Sequence, residues 1–501
     1  MALAECCDMK SAWLANAPPH TNDEFRQGDR FDVVVIGAGL TGMVTAELLA
    51  RAGKKVAVVE GRFLGAVTTG NTTAKVSLLQ GTHMSSVLQA HPMEVGRAYV
   101  AANRAGQEWL VEFCEQNGIG VERRDAYTYA ASSSSTSKID EEVSACRSVG
   151  LDVERVDTLA LPFVTYGAAR MADQFQINPM EPMAAMCQSF RARGGTLFEG
   201  ARVTDLQVGD WVHLTTNLGP LFARKVVVAT GFPALDRSAY FARLEPSRSY
   251  VIAVRTNSEK PQGMYISVDQ PTRSLRTARF GDEELLLVGG NGHVVGRQES
   301  AQALFDDLED WTSTHFGETT TVYSWSAQDY RTLDGLPAVE PALAGQEQVL
   351  VATGYDKWGM TNAPAAALAL SGRILGAEPD WARILYRRGG EALGRRAARA
   401  LGQNSSVFLQ TVRGWGGCLV AGQETSPNEG EGVTHFDGLT PVGVSKVDGQ
   451  EHRISAVCPH MGGILRWNDA EKSWDCPLHG SRFAADGRVL EGPAVRDCKR
   501  L

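Results

Sequence analysis

Three features that would assign a protein to a class at once are missing from this sequence. No run of about 18 apolar residues occurs among its 501 residues, so no membrane-spanning helix is expected. Basic residues are not in excess: 49 Lys and Arg face 58 Asp and Glu, and the net charge of −9 excludes the broad positive field of a nucleic-acid-binding protein. Residues 1–20 have no basic stretch followed by an unbroken apolar stretch, so no signal peptide is predicted.

Cysteine is present, but not in the arrangement of a disulfide framework. The chain has nine cysteines, an odd number, and their spacing is irregular outside one C-terminal motif. Small secreted domains use paired cysteines as cross-links, whereas isolated thiols are typical of reducing compartments. We therefore expect a cytoplasmic protein, and the length predicts about three folded units.

A glycine-rich turn lies between a predicted strand and a predicted helix near the N-terminus. The apolar residues 31–36 lead into Gly37, Gly39 and Gly42, and a second strand follows the helix and ends at Glu60. In such a unit the glycines permit a tight turn, a close approach of the backbone to a diphosphate and close helix packing, while the helix N-terminus attracts the phosphates. A carboxylate at the position of Glu60 accepts hydrogen bonds from ribose hydroxyls. The unit predicts a dinucleotide site, but by itself it does not distinguish FAD from NAD.

The middle of the chain has a different pattern, with short predicted strands and no helical periodicity between them. Residues 249–254, 263–268, 274–280 and 284–288 are short strand-like runs separated by turns, which is the pattern of an antiparallel sheet. The glycines within 290–296 have the wrong spacing for a second dinucleotide turn. A separate NAD(P)H domain is therefore not expected.

Several segments resemble the D-amino-acid-oxidase superfamily of FAD enzymes. Ala229-Thr230-Gly231 ends a buried strand, and residues 352–361 lead from a strand into an alanine-rich helix, like the C-terminal flavin loop of that superfamily. Residues 330–337 and 198–203 look like its segments before the last flavin strand and beside the adenine. The resemblance covers most of residues 30–376 and implies an α/β fold, in which a Rossmann-like FAD-binding domain is interleaved with an antiparallel substrate sheet of α+β type.

The C-terminal region carries a paired Cys and His motif. Cys458-Pro459-His460 is followed after fifteen residues by Cys476-Pro477-Leu478-His479, which gives C-x-H…C-x-x-H. Two thiolates and two imidazoles in two mixed pairs suit a Rieske [2Fe–2S] cluster. Zinc also accepts two Cys and two His, but zinc fingers use Cys pairs and His pairs. Residues 480–483 after the second pair and residues 491–494 near the chain end also resemble Rieske domains. We therefore predict a small all-β domain with Cys458, His460, Cys476 and His479 as cluster ligands.

The cluster loops depart in one respect from high-potential Rieske proteins. Those proteins often carry an additional Cys in each loop, joined as a disulfide, whereas this chain has Gly463 and Leu478 at the corresponding positions. Ser481 remains and is expected to donate a hydrogen bond to a cluster sulfur, which raises the reduction potential. Phe483 stands where a Tyr is often found. We expect an intermediate potential.

These patterns predict the following division of the chain. An N-terminal extension covers 1–30, the FAD-dependent oxidoreductase domain 31–376, a helical connector 377–425 and the Rieske domain 426–501. Within the oxidoreductase domain, the FAD half is predicted at 31–85, 195–235 and 335–376, and the substrate half at 86–194 and 236–334.

The resemblance also implies particular site residues. The expected FAD-binding residues are Gly37, Gly39, Leu40, Thr41, Gly42, Glu60, Thr73, Ala74, Val203, Thr230, Gly231, Gly354, Gly359, Met360 and Thr361. No Cys or His is clearly placed to tether the flavin, so FAD is expected to bind non-covalently, with His83 as the one exception to consider. The candidate catalytic residues are Lys75, His293, Gln328 and Trp358.

Each catalytic candidate has a structural alternative. Lys75 lies in a segment that passes beside the flavin in the superfamily, where it would favour a negatively charged reduced flavin, but a surface lysine is an equal alternative. Trp358 belongs to the flavin loop or to the core, and His293 is more often a structural hydrogen-bonding group. Gln328 precedes the flavin segment and is expected in the pocket. None of them is a clear base, which fits amine oxidation by direct hydride transfer.

Together, the motifs predict an FAD-dependent dehydrogenase that acts on a C–N bond of an amine or amino-acid-like substrate. Electrons would leave singly through the Rieske cluster, with an external electron-transfer protein as a further partner. Two alternatives stay open: a partner reduces the cluster, which reduces the flavin for substrate reduction or oxygenation, or the protein is an electron carrier or redox sensor without a small substrate. A Rieske oxygenase is disfavoured, because no His pair with a nearby carboxylate offers a mononuclear iron site.

Overall fold

The computed structural model describes residues 10–19, 22–233, 240–343, 345–387 and 426–501. The larger part of the predicted connector, residues 388–425, lies outside the described residues. The helices are α1 (Ala12–Ala15), α2 (Leu40–Arg51), α3 (Thr68–Asn71), α4 (His83–Ala90), α5 (Met93–Gln116), α6 (Thr136–Ser148), α7 (Met180–Ala192), α8 (Gln302–Phe316), α9 (Gly359–Leu375) and α10 (Asp380–Tyr386).

The strands of the described residues fall into four sheets. They are β1 (Arg30–Ile36), β2 (Val56–Val59), β3 (Lys75–Val76), β4 (Glu122–Tyr129), β5 (Glu154–Val156), β6 (Ala168–Gln176), β7 (Thr196–Phe198), β8 (Val203–Gln207), β9 (Val212–Thr216), β10 (Gly219–Val228), β11 (Leu244–Thr256), β12 (Met264–Ser267), β13 (Arg273–Phe280), β14 (Glu283–Val294), β15 (Thr319–Thr332), β16 (Ala338–Leu343), β17 (Gln346–Thr353), β18 (Gly432–Asp437), β19 (Thr440–Val447), β20 (Gln450–Ser455), β21 (Arg466–Asn468), β22 (Ser473–Asp475), β23 (Arg482–Ala484) and β24 (Val489–Glu491).

The first sheet carries the dinucleotide turn. Its strand order is β16-β17-β10-β1-β2-β7, and β17, β10, β1, β2 and β7 run parallel, while β8 and β9 form an antiparallel ribbon on β10. The last four residues of β1 are all buried, as expected for a strand covered on both faces. The carboxyl ends of β1, β2, β10 and β17 therefore meet at one edge, where a parallel sheet binds its ligand.

The second sheet is mostly antiparallel, as predicted from the short strand-like runs in the middle of the chain. Its order is β15-β11-β14-β13-β12-β4-β6-β3, with β5 paired to β6. The strands are longer than the sequence patterns indicated, because β11 and β15 pair over thirteen positions, well beyond the predicted run 249–254. Polar residues within these long strands broke the apolar alternation on which the prediction depended.

Two small antiparallel sheets form the C-terminal domain. One contains β18-β19-β20 and the other β21-β22-β23-β24. Trp474 and Phe483 are buried in a compact core with the two predicted cysteine ligands. The mixed α/β body with a separate small all-β domain confirms the predicted fold class.

Helix α9 links the flavin loop to the core of the larger body. It is buried along most of its length and packs against both α2 and α5. Gly106 of α5 permits this approach, because a Cβ there would lie 2.2 Å from the carbonyl oxygen of Thr361. Among the described residues, no helix combines the length and the apolar character needed to cross a bilayer.

The C-terminal domain is docked on the oxidoreductase body through polar contacts. Asp469 accepts hydrogen bonds from Ser300 Oγ at 2.6 Å and from the Ala301 amide at 2.7 Å, and so caps the start of α8. Gly296 touches the second cluster loop, since a Cβ on it would lie 2.8 Å from Pro477 Cα. The two bodies therefore meet closely, with cluster-loop residues at the interface.

Candidate active site

One cavity is lined by residues of the first sheet, the second sheet and the C-terminal domain. Gly37 and Glu60 of the first sheet line it, Tyr250 of the second sheet lines it, and so do residues 490–492 and 494–495 of the C-terminal domain. The described residues that reach into it include nearly all of the predicted dinucleotide motif. The cavity is the candidate flavin site.

The glycine-rich turn forms a cradle at the start of α2. Gly37 has φ +106°, and a Cβ on it would lie 2.6 Å from the carbonyl oxygen of Ala229. A Cβ on Gly42 would lie 1.9 Å from the carbonyl oxygen of Gly37, so no larger residue fits at the first turn of the helix. Gly39 caps the helix with extended backbone and lines the cavity. This open helix N-terminus fits the diphosphate of FAD.

Glu60 lies at the end of β2, beside this turn. Its carboxylate accepts hydrogen bonds from the Ala38 amide at 2.9 Å and from the Arg62 amide at 2.7 Å. Burial raises the pKa of Glu60, and these two amides together with the guanidinium groups of Arg62 and Arg202 act in the opposite direction. The two amides hold the carboxylate in one orientation at the cavity wall. A carboxylate in this position suits the hydroxyl groups of a ribose.

The segment around α3 is fixed from behind by side chains that bind its carbonyl groups. Trp13 Nε1 donates to the carbonyl oxygen of Thr72 at 2.7 Å, and Trp325 Nε1 donates to that of Asn71 at 2.9 Å. The buried guanidinium of Arg276 donates to the carbonyl oxygen of Thr73 at 2.7 Å. Three large side chains thus hold the backbone that faces the flavin cavity.

Lys75 follows this segment and is held by its amine. Its Nζ donates to the carbonyl oxygen of Tyr265 at 2.7 Å and to Ser274 Oγ at 2.5 Å, which links β3 to β12 and β13 of the same sheet. Burial, with a smaller contribution from Arg276, lowers the pKa of Lys75 to about 7. The side chain lines the cavity and therefore changes charge in the physiological range at the candidate flavin site.

The loop after β17 presents the start of α9 to the same cavity. Asp356 and Lys357 have φ values of +45° and +72°, which are uncommon for residues with a Cβ. The Lys357 amide donates to the carboxylate of Asp329, and Trp358 caps the helix. The N-terminal amides of α9 consequently point at the cavity, where a helix dipole favours negative charge. A strained but well-anchored turn of this kind is typical of a functional loop.

A second, polar cavity meets the first at four shared residues, Ile266, Thr272, Lys357 and Trp358. His83, Arg297 and Arg331 line the second cavity. Arg297 Nε is buried and makes no hydrogen bond within the described part of the chain, whereas Arg331 is paired with Glu245. The second cavity is thus a polar vestibule next to the flavin loop.

The four predicted cluster ligands lie at the tips of two matching loops. In each loop the cysteine amide donates to a carbonyl oxygen five residues later at 2.8 Å, from Cys458 to Gly463 and from Cys476 to Ser481. The two thiols are within hydrogen-bonding distance of each other, and the ring centroids of His460 and His479 are 5.1 Å apart.

These loops fit a cluster with two protein ligands for each iron. His479 Nε2 is buried and has no hydrogen-bond partner among the described residues. A Cβ on Gly463 would lie 3.0 Å from Cys476 Sγ, so a glycine is needed to keep this face of the thiol clear. Within the described residues, no three His, Cys, Asp or Glu side chains are arranged around one metal ion, and a Rieske cluster requires only two protein ligands on each iron.

Ser481 lies beside the first cluster cysteine. The Ala494 amide donates to its hydroxyl oxygen at 3.0 Å, and the hydroxyl is near enough to the thiol of Cys458 to contribute to the lowered pKa of that thiol. The hydroxyl proton is not used in this bond and is available to donate to the sulfur. This arrangement supports the predicted influence of Ser481 on the cluster potential.

The cluster loops approach the flavin cavity through a wall one strand thick. Gln328 Nε2 donates to the carbonyl oxygen of Gly480 at 2.9 Å, while Ala327 and Asp329 on either side of it line the cavity. A Cβ on Gly480 would lie 2.8 Å from that Nε2 atom. The ring of Phe232, also at the cavity, lies 6.1 Å from the ring of His460.

The structure brings most of the predicted site residues to this cavity. Those that line it are Gly37, Gly39, Leu40, Thr41, Glu60, Thr73, Lys75, Val203, Thr230, Gly231, Trp358, Gly359 and Met360. Six others are not among its lining residues: Gly42, Ala74, His293, Gln328, Gly354 and Thr361. Gly42, Ala74 and Gly354 are backbone positions that shape the turns.

The side chains of the other three are engaged in hydrogen bonds that account for their positions. His293 shares a hydrogen bond of 3.0 Å with the hydroxyl of Tyr250 and one of 2.9 Å with the carbonyl oxygen of Val294. Thr361 Oγ1 donates to Asn103 Oδ1 at 2.6 Å in the helix core. Gln328 faces the cluster loop rather than the pocket, because side chains alternate along β15.

Sequence reasoning did not identify several residues of the cavity. Asp329 is not among the predicted site residues, although it follows Gln328, whereas Lys357 belongs to the predicted flavin loop 352–361. Burial raises the pKa of Asp329 to about 7. Glu491 and Arg62 come from different domains and meet only in the folded chain. Strand alternation next to Gln328 was the one signal in the sequence that indicated Asp329.

Comparisons with known proteins agree with this geometry. The family model described as FAD dependent oxidoreductase matches residues 32–373, and the model of the Rieske [2Fe-2S] domain matches residues 418–501. A Bacillus subtilis (strain 168) protein described as putative Rieske 2Fe-2S iron-sulfur protein YhfW is 30% identical over 475 residues, covering 94% of this chain and 93% of the relative.

Solved structures are similar in fold. Glycine oxidase from Geobacillus kaustophilus has a TM-score of 0.61 at 19% identity, covering 72% of this chain and 100% of its own. L-Amino acid deaminase from Proteus myxofaciens has a TM-score of 0.60 at 14% identity, covering 75% of this chain and 97% of its own. The chain belongs to the FAD-dependent oxidoreductase family of the D-amino-acid-oxidase type, with a Rieske domain fused at its C-terminus. Its cofactors are accordingly FAD and a [2Fe–2S] cluster.

Proposed function

We propose that the protein dehydrogenates the C–N bond of an amine or amino acid and passes the electrons one at a time through its Rieske domain. FAD supplies the acceptor for the hydride, and the cluster carries single electrons. The observation that carries the proposal is the docking of the second cluster loop on the cavity wall, through Gln328 and Gly480. This contact places the loop that would hold the cluster against the wall of the cavity that would hold FAD, which supports direct electron transfer between them.

The vestibule supports a small substrate. It opens onto the cavity at Lys357 and Trp358, and Lys357 is exposed to this space. Lys357 and Arg297 offer positive charge to a substrate carboxylate, and glycine oxidase and L-amino acid deaminase, which share the fold, are named for amino-acid substrates. A pure electron carrier has no need of a lined chamber beside its flavin loop, so the vestibule favours an enzyme.

The protein side chains would bind and orient the substrate rather than abstract a proton from carbon. Trp358 offers a face at the junction of the two cavities, and Lys75 offers a positive charge below pH 7. A hydride leaves the substrate carbon together with its electron pair, and the neutral amine supplies the electron density that forms the C=N bond. A positioned cation and a shielded pocket therefore suffice for this reaction.

The test is anaerobic mixing of the wild-type chain with a panel of amines and amino acids. A substrate should bleach the flavin and then reduce the cluster, which gives a Rieske-type electron paramagnetic resonance signal. Cys458→Ser should keep FAD and its bleaching by substrate, but lose the cluster signal and turnover with a one-electron acceptor protein. Cys498→Ser is the matched control, because Cys498 is buried in the same core and is not a predicted ligand.

Two results would redirect the proposal. If a substrate bleaches the flavin while the cluster stays oxidised, and oxygen supports full turnover of Cys458→Ser, the enzyme is an oxidase and the electron route is wrong. If no compound bleaches the flavin but a reduced iron–sulfur donor protein reduces the cluster and then the flavin, electrons flow in the opposite direction.

A further inference from the structure

The C-terminal domain forms part of the wall of the flavin cavity. Residues 490–492, 494 and 495 line the same space as the glycine-rich turn. This segment is tied to the nucleotide end of the cavity, where Arg202 donates to the carbonyl oxygen of Val489 at 3.1 Å and Arg62 donates to that of Leu490 at 3.3 Å. Arg62 is two residues from Glu60, the carboxylate expected at the ribose.

Glu491 lies in the middle of this wall and has one oxygen without a partner. The residue is only 7% exposed, and Oε1 is buried with no hydrogen bond in the part of the chain that the structure describes. Its other oxygen, Oε2, lies 3.7 Å from Arg248 and 3.9 Å from Arg482, which hold it by charge. A buried carboxyl oxygen without a partner is costly, so a partner is expected when the cavity is filled.

We infer that Glu491 of the Rieske domain is a ligand of the ADP half of FAD, so that the flavin site is shared between the two domains. The ribose hydroxyls and the diphosphate are the polar groups of FAD that the nucleotide end of the cavity receives. Burial raises the pKa of Glu491 to about 7, against the influence of Arg248, Arg482 and Arg62. An ionised carboxylate accepts a hydrogen bond from a ribose hydroxyl, and a protonated carboxyl can also donate one to a ribose or phosphate oxygen.

Adjacent contacts show that the wall is anchored independently of Glu491. Tyr330 Oη donates to the carbonyl oxygen of Gly492 at 3.4 Å, and Ser481 fixes the Ala494 amide. Removal of the Glu491 side chain should consequently leave the segment in place and create a gap at the cofactor. The expected defect is in FAD retention, with the cluster unaffected.

The experiment compares Glu491→Ala and Glu491→Gln in the full-length, cluster-loaded chain. FAD release after dilution is followed by flavin fluorescence, and the cluster is monitored by its electron paramagnetic resonance signal. Glu491→Ala should release FAD about tenfold faster, the loss expected for one hydrogen bond to a charged group. Glu491→Gln keeps the shape and a hydrogen-bonding oxygen, so its release rate should lie between wild type and Glu491→Ala.

Calorimetry on FAD-depleted chain identifies the half of the cofactor involved. Glu491→Ala should weaken binding of ADP by about tenfold and leave binding of FMN unchanged. Glu451→Ala and Glu451→Gln are the matched controls, because Glu451 is an exposed carboxylate on β20 of the same domain. These controls should not change either affinity.

Three outcomes would overturn the inference. Unchanged FAD release by Glu491→Ala with an intact cluster would show that the carboxyl group makes no contact with the cofactor. Equal acceleration by Glu491→Gln and Glu491→Ala would mean that only the charge of the ion-pair network matters. If FMN binding is weakened as much as ADP binding, Glu491 acts on the whole cavity rather than on the ADP half.

Discussion

Enclosure in the flavin cavity gives its two lysines properties that a lysine on the outer surface lacks, although Lys357 is exposed to the cavity space itself. The pKa of Lys75 falls to about 7, and burial also lowers the pKa of Lys357, which Asp356 and Asp329 partly offset. Hydrogen bonds hold Lys75 by its amine and Lys357 by its backbone amide, so the position of each residue is defined as well as its charge. A lysine that changes charge near neutral pH is suited to respond to a flavin whose charge changes on reduction.

The first residue-scale prediction concerns Lys75. Below pH 7 its amine is a cation and stabilises negative charge on the reduced flavin, and this help is lost as the pH rises through about 7. The midpoint potential of the flavin should therefore fall more steeply with pH above 7 in wild type than in Lys75→Met. Flavin reduction by substrate at pH 6 should be at least about tenfold slower in Lys75→Met.

Potentiometric titration between pH 6 and pH 9 measures this effect. Lys54→Met, which changes an exposed lysine, serves as the control and should reproduce the wild-type curve. Identical pH dependence in wild type and Lys75→Met would exclude Lys75 as the group that responds to flavin charge.

At the scale of elements, the start of α9 is positioned by a closed group of buried polar side chains. Tyr99 Oη donates to Gln80 Oε1 at 2.6 Å, and Asn362 Nδ2 donates to Tyr99 Oη at 3.1 Å and to the carbonyl oxygen of Trp358 at 3.1 Å. Asn103 joins the same group through Thr361 and Asn362. These bonds connect the loop before α4 with α5 and α9, and they fix the helix end that faces the cavity.

Tyr99→Phe tests this arrangement. The change removes one hydroxyl and leaves Gln80 and Asn362 with unsatisfied buried groups, which should lower the free energy of unfolding by about 1–3 kcal/mol. The midpoint potential of the flavin should also decrease, because the amides of α9 are less firmly directed at the ring. Thermal unfolding and potentiometry measure the two effects.

Tyr166→Phe is the control, since Tyr166 is exposed at 43%. It should leave both quantities unchanged. A loss of stability in Tyr99→Phe without any change in potential would limit the network to a structural role.

At the scale of the whole molecule, a buried ion network joins the two cofactor domains. Arg248, 1% exposed, contacts Glu471 Oε2 of the Rieske domain at 2.6 Å and donates to Gln328 Oε1 at 2.8 Å. Arg482 contacts the same Glu471 oxygen at 2.9 Å and Asp475 at 3.1 Å. Such pairs are costly to bury and equally costly to break, so they specify one docking geometry.

Arg248→Met should uncouple the domains. The variant leaves the buried carboxylates of Glu471 and Glu491 with less positive charge, at a cost of about 3–5 kcal/mol. Calorimetry should then resolve separate unfolding transitions of the oxidoreductase body and the Rieske domain, and electron transfer from flavin to cluster should slow. Arg26→Met alters an exposed arginine and provides the control. A single transition with an unchanged electron-transfer rate in Arg248→Met would contradict a role of the network in docking.

The sequence by itself determined the cofactors and the fold class, because both depend on local patterns. The spacing of Gly37, Gly39 and Gly42 between a strand and a helix, and the C-x-H…C-x-x-H pattern, are short-range requirements of backbone geometry and ligand number. Gln328 and His293 show where this reasoning ends, since neither lines the cavity. Strand alternation predicts that neighbouring side chains point to opposite sides of a sheet. It does not predict which side carries the cavity and which side is covered by another domain.

Only the tertiary structure decided what lies between the two cofactors. Arg248 and Glu471 are separated by more than two hundred residues, and no local pattern couples their charges. The contribution of Glu491 to the flavin cavity is of the same kind, because a C-terminal residue reaches that cavity only when the domains dock. Chain spacing specifies turns and ligand pairs, whereas the burial and electrostatics that tune them arise from contacts between distant segments.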